Sequence, residues 1–224
     1  MSPGPRAALA MLRKDLLLDL RSRDRIGHMA IFAALVVVVM SIALPVSRQA
    51  GEIWVPTLIW VVFLFTSLLG LSRSFQAESE VGALAALAQA PCDRGWLFLG
   101  KTAANFVSLV AIQLWTAVLF GVLLDVDWFV AAPAALGIGL LGAAGLATVG
   151  TLLAALSATA RFREFLLPVL LFPLILPVLV VASLATADAL GGAGVSGSHW
   201  GALGIYAWVF LLVGYFVFDV VLED

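Results

Sequence analysis

Charge is what this chain has least of. Only 12% of its 224 residues are Asp, Glu, Lys or Arg, while 63% are hydrophobic and the mean hydropathy is +1.12. Soluble domains run at about a quarter charged and about half apolar. No globule of this size could hide so much apolar surface from water, so the bilayer has to be the solvent. There is one cysteine, Cys92, which excludes an intrachain disulfide and a thiol metal cluster. There are two histidines, His28 and His199. No Ser/His pairing, paired intramembrane Asp or HExxH arrangement is present, which excludes an intramembrane protease. An ionisable side chain at the bilayer centre costs about 2.5–3.5 kcal/mol on insertion scales. The expected span cores carry none, which argues against a proton pump with a carboxylate relay. The chain is therefore expected not to be an enzyme, with no catalytic residue, no resident metal and no nucleic-acid partner.

What is abundant is long apolar runs. A helix needs about 20 such residues to cross the hydrocarbon, and six runs qualify: 26–46, 53–71, 103–124, 129–156, 165–187 and 201–222. They are apolar all round, unlike the short alternating segments of a barrel, and in lipid their backbones must satisfy themselves as helices. The first run begins only after a charged stretch and is longer than a signal-peptide core, so it reads as a retained span. Twelve lysines and arginines set the orientation. Arg6, Arg13, Lys14, Arg21, Arg23 and Arg25 precede the first span, Arg73, Arg94 and Lys101 follow the second, and Arg161 and Arg163 follow the fourth. With six spans all of these share one side, and only Arg48 lies opposite. The expected fold is an all-α membrane protein with both ends in the cytoplasm, a cytoplasmic segment 1–25 and a single six-span domain 26–224.

Leu9, Leu12, Leu16 and Leu20 fall on one helical stripe, with Lys14 and Arg21 on another face. That pattern predicts an amphipathic helix in the cytoplasmic interface; a solvated tail is the alternative. The break from Arg73 to Lys101 holds a good helix former, Glu78 to Gln89, stopped by Pro91. It serves either to dock a soluble partner or as a plain connector. The fourth run repeats small residues at Gly139, Ala143 and Ala147, a face for close helix packing. The fifth carries Pro168, Pro173 and Pro177, each removing a helix hydrogen bond; the resulting kinks serve either a moving pathway or the fold alone. Asn105 and Gln113 are expected to make interhelical hydrogen bonds rather than bind substrate. The outer segment from Asp188 to Trp200, rich in Gly and Ser, is expected to be flexible. In it His199, beside Trp200, carries an imidazole able to ligate iron, with an ordinary surface histidine as the default.

Residues 95–102, GWLFLGKT, satisfy the phosphate-loop pattern in letters only. A phosphate loop needs a preceding strand and small residues whose amides wrap phosphate. Here Trp96, Leu97, Phe98 and Leu99 fill the loop and run straight into a span, so Arg94 and Lys101 read as anchors of that span.

The segment ESEVGALAALAQAPCDRGWLFLGK resembles the cytoplasmic loop of type-2 ABC exporter membrane subunits, with Glu80, Gly82, Pro91, Gly100 and Lys101 in the corresponding places. RKDLLLDLRSRDRI, WVVFLFTSLLGLSRSFQAE and LLAALSATARFREFLLPVLLFPLILPVL narrow the resemblance to the haem exporter permeases of cytochrome c maturation, the CcmB family. The resemblance implies a multi-pass permease of the bacterial inner membrane, with haem as the ligand moved and no covalently bound cofactor. It implies an ABC ATPase subunit that alone binds ATP, a second permease copy, and a haem-handling membrane subunit as partners within the lipid bilayer. On that reading Phe75, Gln76, Glu78, Glu80, Gly82, Leu84 and Leu87 form a cytoplasmic coupling helix between spans two and three that docks the ATPase. Gly139, Ala143, Ala147, Pro168, Pro173 and Pro177 serve helix packing or a pathway, and His199 and Trp200 are haem contacts. A type-2 ABC permease for a drug or lipid, and a scaffold that only tethers the ATPase, are the alternatives.

Overall fold

Apolar runs of this length can satisfy their backbones only as helices, and the computed structural model is helical wherever an element is assigned. It describes residues 3–22, 24–43, 48–80, 93–129, 131–158 and 163–221, with backbone alone at 3, 22, 48–53, 75–80, 158, 163–165 and 219–221. Among the described residues seven helices follow in order: α1 Pro3–Ser22, α2 Asp24–Ala43, α3 Arg48–Glu80, α4 Arg94–Leu123, α5 Ala132–Ala158, α6 Arg163–Leu190 and α7 Gly197–Val221. Six of them, α2 to α7, are long and apolar enough to cross a membrane.

Helix α5 is the axis of the bundle, packed by α3, α4, α6 and α7. Its small residues let large neighbours lie directly on its backbone. A Cβ at Gly142 would fall 2.2 Å from the Trp60 ring of α3, and one at Gly137 would fall 2.6 Å from Trp200 of α7. Ala143 and Ala147 are fully buried. Two side-chain bonds tie α3 to α6: the Trp60 indole N–H donates to Thr186 Oγ1 at 2.9 Å, and Thr57 pairs with Ser183 at 2.8 Å. Helix α6 stays helical through its three prolines. Its buried line is Leu167, Leu171, Ile175, Val178, Ala182 and Ala185, whereas Pro173 and Pro177 lie on the exposed side. A second, smaller core joins α2, α3 and α4 through Ala33, Val37, Ile59, Val62 and Phe120.

Helix ends differ from the hydropathy reading in two places. Helix α4 begins at Arg94, nine residues before the expected span, because Asp93 caps it by accepting from the Gly95 N–H at 2.8 Å. Gly95 to Thr102 are therefore α-helical, with amides spent inside the helix instead of free to wrap a phosphate. Of the outer segment from Asp188 to Trp200, the first residues belong to α6, which runs to Leu190, and the last to α7, which starts at Gly197.

The start of α4 meets the end of α7. Tyr215 donates to Asp93 Oδ2 at 2.9 Å, and Phe98 stacks against Phe218 and over Gly214. Since α1 packs along the same part of α4, the two ends of the described chain lie at one end of the bundle.

Candidate functional site at a five-helix junction

The docking face of α1 is not its leucine stripe. Leu9 and Leu20 are more than half exposed, while Gly4, Met11 and Asp19 are buried, with Ala8 and Asp15 between them at helical spacing. Small residues at the first turns let α1 approach α4 closely. Gly4 sits under the Trp96 indole, and a Cβ on Gly100 would stand 2.4 Å from the Ala8 carbonyl oxygen. Only glycine fits position 100 at that separation.

Further along, the same face presents carboxylates. Lys101, 1% exposed, reaches Asp15 Oδ2 at 3.2 Å. Asp19 Oδ2 accepts from Ser108 Oγ at 2.8 Å and pairs with the Arg25 guanidinium of α2. Arg25 Nη1 also donates to Asn105 Oδ1, and Nη2 to Ser108 Oγ, each at 2.8 Å. Asn105 uses its whole amide: Oδ1 accepts from Ser74 Oγ of α3 at 3.0 Å as well, and Nδ2 donates to Thr151 Oγ1 of α5 at 2.9 Å. One hydrogen-bonded cluster thus joins α1, α2, α3, α4 and α5.

Lys101 and Arg25 face the two carboxylates here, and the more exposed Lys14 also lies 3.1 Å from Asp15 Oδ1. The Asp19 and Arg25 side chains are only 10% and 12% exposed, so each charge is held by its partner instead of by water. Removing one member of such a buried pair costs about 3–5 kcal/mol, because the other is stranded. These side chains bond to one another across helices, so the cluster ties the five helices together. Ser74 stands on α3 just before the segment expected to dock a partner, and its bond to Asn105 ties that part of α3 to the other four helices of the cluster. Arg25 Nε makes no hydrogen bond among the described residues.

A sequence profile of the family described as CcmB protein matches residues 6–222. The chain belongs to the CcmB family. It is 27% identical over 210 residues to "Heme exporter protein B" of Bradyrhizobium diazoefficiens, covering 94% of each chain. The protein of the same name from Rhodobacter capsulatus is 30% identical over 76% of this chain and 78% of its own. That from Pseudomonas aeruginosa is 27% identical, over 84% and 83%.

Within this CcmB-family fold the residues singled out from sequence fall in three places. At Phe75, Gln76, Glu78 and Glu80 the backbone continues α3, and Gly82, Leu84, Leu87 and Cys92 lie outside the described residues. Gly139 lies against the Gln113 amide, 3.2 Å from where its Cβ would be. At the opposite end of the bundle, His199 Nδ1 lies 3.2 Å from Asp188 Oδ2 across the α6–α7 turn, and Trp200 is packed onto Gly137. Asn105 makes the interhelical bonds expected of it. Gln113 makes no hydrogen bond among the described residues and instead lines a cavity. Lys101 is not a solvated anchor: Asp15 draws it inside. Sequence reasoning does not single out Asp15, Asp19, Arg25, Ser74, Ser108 or Thr151 as members of a site. The available signal is two carboxylates four residues apart on the small-residue face of an otherwise basic helix.

Proposed function

We propose that this chain is the membrane permease subunit of an ATP-driven haem exporter serving cytochrome c maturation in the bacterial inner membrane. Family membership across nearly the whole chain supports haem over a drug or lipid as the substrate. The observation that carries the coupling half of this reading is the Ser74–Asn105 bond. An ABC ATPase subunit docks on the segment from Phe75 to Gln89, with Glu78, Glu80 and Gly82 as contact or hinge positions. Its ATP-driven movement pulls the end of α3, and the junction passes that pull to α1, α2, α4 and α5. The excess of lysine and arginine at the α1 end favours that end as cytoplasmic. A second copy of the chain and a separate haem-handling membrane subunit complete the complex, and ATP is bound only by the ATPase.

On this reading haem is met at the other end of the bundle. His199 Nδ1 lies 3.2 Å from Asp188 Oδ2 without a hydrogen bond among the described residues, and a small ring rotation would let that carboxylate orient the imidazole and leave Nε2 for a metal. Trp200, committed to Gly137, positions that turn. The test of the docking assignment is co-purification with the ATPase after Glu80→Lys together with Gly82→Pro. The expected result is loss of the ATPase from the complex; full retention with unchanged ATP-driven haem transfer would remove the assignment.

A further inference from the structure

Between α4 and α5, at the end of the bundle opposite α1, lies a cavity of about 330 Å³. A dry engineered cavity of about 150 Å³ takes one benzene, so this one has room for about a dozen carbons. No charged side chain is among its lining residues, nor any His, Cys, Met or Tyr to ligate iron. It therefore suits neither a free anion nor a haem, whose macrocycle is larger and whose propionates would need cations. Two walls are indoles whose N–H groups are already used, Trp60 by Thr186 and Trp128 by the Ala117 carbonyl. On the outer side the lining includes Leu114, Val118, Leu136 and Leu140, each about half exposed on the surface that faces lipid.

One polar group is left over. The Gln113 amide borders the cavity and lies across Gly139, and it has no hydrogen-bond partner among the described residues. An unmatched amide in a lipid-facing setting is unfavourable, so the site calls for an apolar occupant with one acceptor oxygen. Depth narrows the choice. Helix α5 has 27 residues, roughly 40 Å, against about 30 Å of hydrocarbon. Gly139 is seven residues in, about 10 Å along the axis, which sets the amide a few ångströms inside the hydrocarbon edge. The ester carbonyls of a glycerolipid lie at that edge, within reach of the amide.

We propose that this cavity binds one acyl chain of an ester-linked membrane lipid, inserted sideways between α4 and α5, with its ester carbonyl accepting from Gln113 Nε2. The chain lies along Leu114, Leu140 and the Trp60 ring, and the headgroup stays at the Trp128 end.

The test places the full chain in phosphatidylethanolamine/phosphatidylglycerol nanodiscs containing a phosphatidylethanolamine with a diazirine in its sn-2 chain. Photolabelled residues are then mapped by mass spectrometry. Labels are expected on the inward-facing Trp60 and Ala135 as well as on outward-facing Val118 and Leu136. An ether-linked analogue, lacking the carbonyl, should label Trp60 and Ala135 about fivefold less, the size of one ordinary hydrogen bond. Gln113→Leu should abolish that difference, and Gly139→Leu should remove the inward labels while outward ones on α7 persist. Labels confined to outward-facing residues, or equal inward labelling by ester and ether lipids, would overturn the proposal. Displacement of the inward labels by haemin would also overturn it, by assigning the cavity to the exported ligand.

Discussion

The ammonium of Lys101 lies 3.2 Å from the carboxylate of Asp15, a residue 86 positions earlier, and the lysine is 1% exposed. A lysine at the head of an apolar run normally marks the water boundary, its long stem lying along lipid. Here the first helix carries its carboxylate down beside α4 and makes burial of the charge tolerable. Asp15→Asn alone should lower stability by about 3–5 kcal/mol, because it takes a carboxylate from a buried ammonium, and Lys101→Met by less, because Asp15 keeps Lys14 at 3.1 Å. The double variant Lys101→Met with Asp15→Leu should recover most of that loss. Thermal unfolding of the purified chain in detergent measures it; equal losses in the single and double variants would show that the pair does not hold α1.

The close approach at Gly100 gives a second expectation. Gly100→Leu drives its side chain into the Ala8 carbonyl, so α1 should lift from α4 at a cost of about 1–3 kcal/mol. Limited proteolysis should then cut α1 markedly faster than in the parent, with the rest of the bundle unaffected. An unchanged cleavage rate would mean that α1 is not seated on that glycine.

His199 provides a third. If Asp188 orients its imidazole for haem iron, titrating haemin into the complex should shift the Soret band, and His199→Ala should remove that shift. Asp188→Asn should weaken haemin binding by about 10–100-fold, the usual effect of an outer-shell partner. Identical titrations for all three proteins would restrict the pair to bracing the α6–α7 turn.

The six spans are legible in the sequence because an apolar run of 20 residues in lipid has one solution, and the prolines of α6 do not disturb it. Helix ends are less legible. Arg94 to Thr102 read as a charged approach to the span, because the partners of Lys101 and Gly95 are distant in sequence or lie in a cap. The leucines of α1 do predict a two-faced helix, but the face that seats on the protein is the one with Gly4, Ala8, Asp15 and Asp19. Small and acidic residues in a basic segment give no hydrophobic signal, so the docking face is invisible to periodicity. Asn105 and Gln113 look alike as single amides on an apolar helix. Only the fold separates them: Ser74, Arg25 and Thr151 surround Asn105, while Gln113 faces glycine and a cavity.

In the proposed coupling, Asn105 is the side chain through which the end of α3 would move the other helices. The most direct measurement is ATP-dependent haem accumulation in inverted vesicles carrying the whole complex, with parent chain or Asn105→Ala. The variant complex should assemble and hydrolyse ATP, while haem accumulation falls about tenfold, within the span of typical coupling free energies. Accumulation at the parent rate, with ATP hydrolysis intact, would contradict the junction's role in coupling.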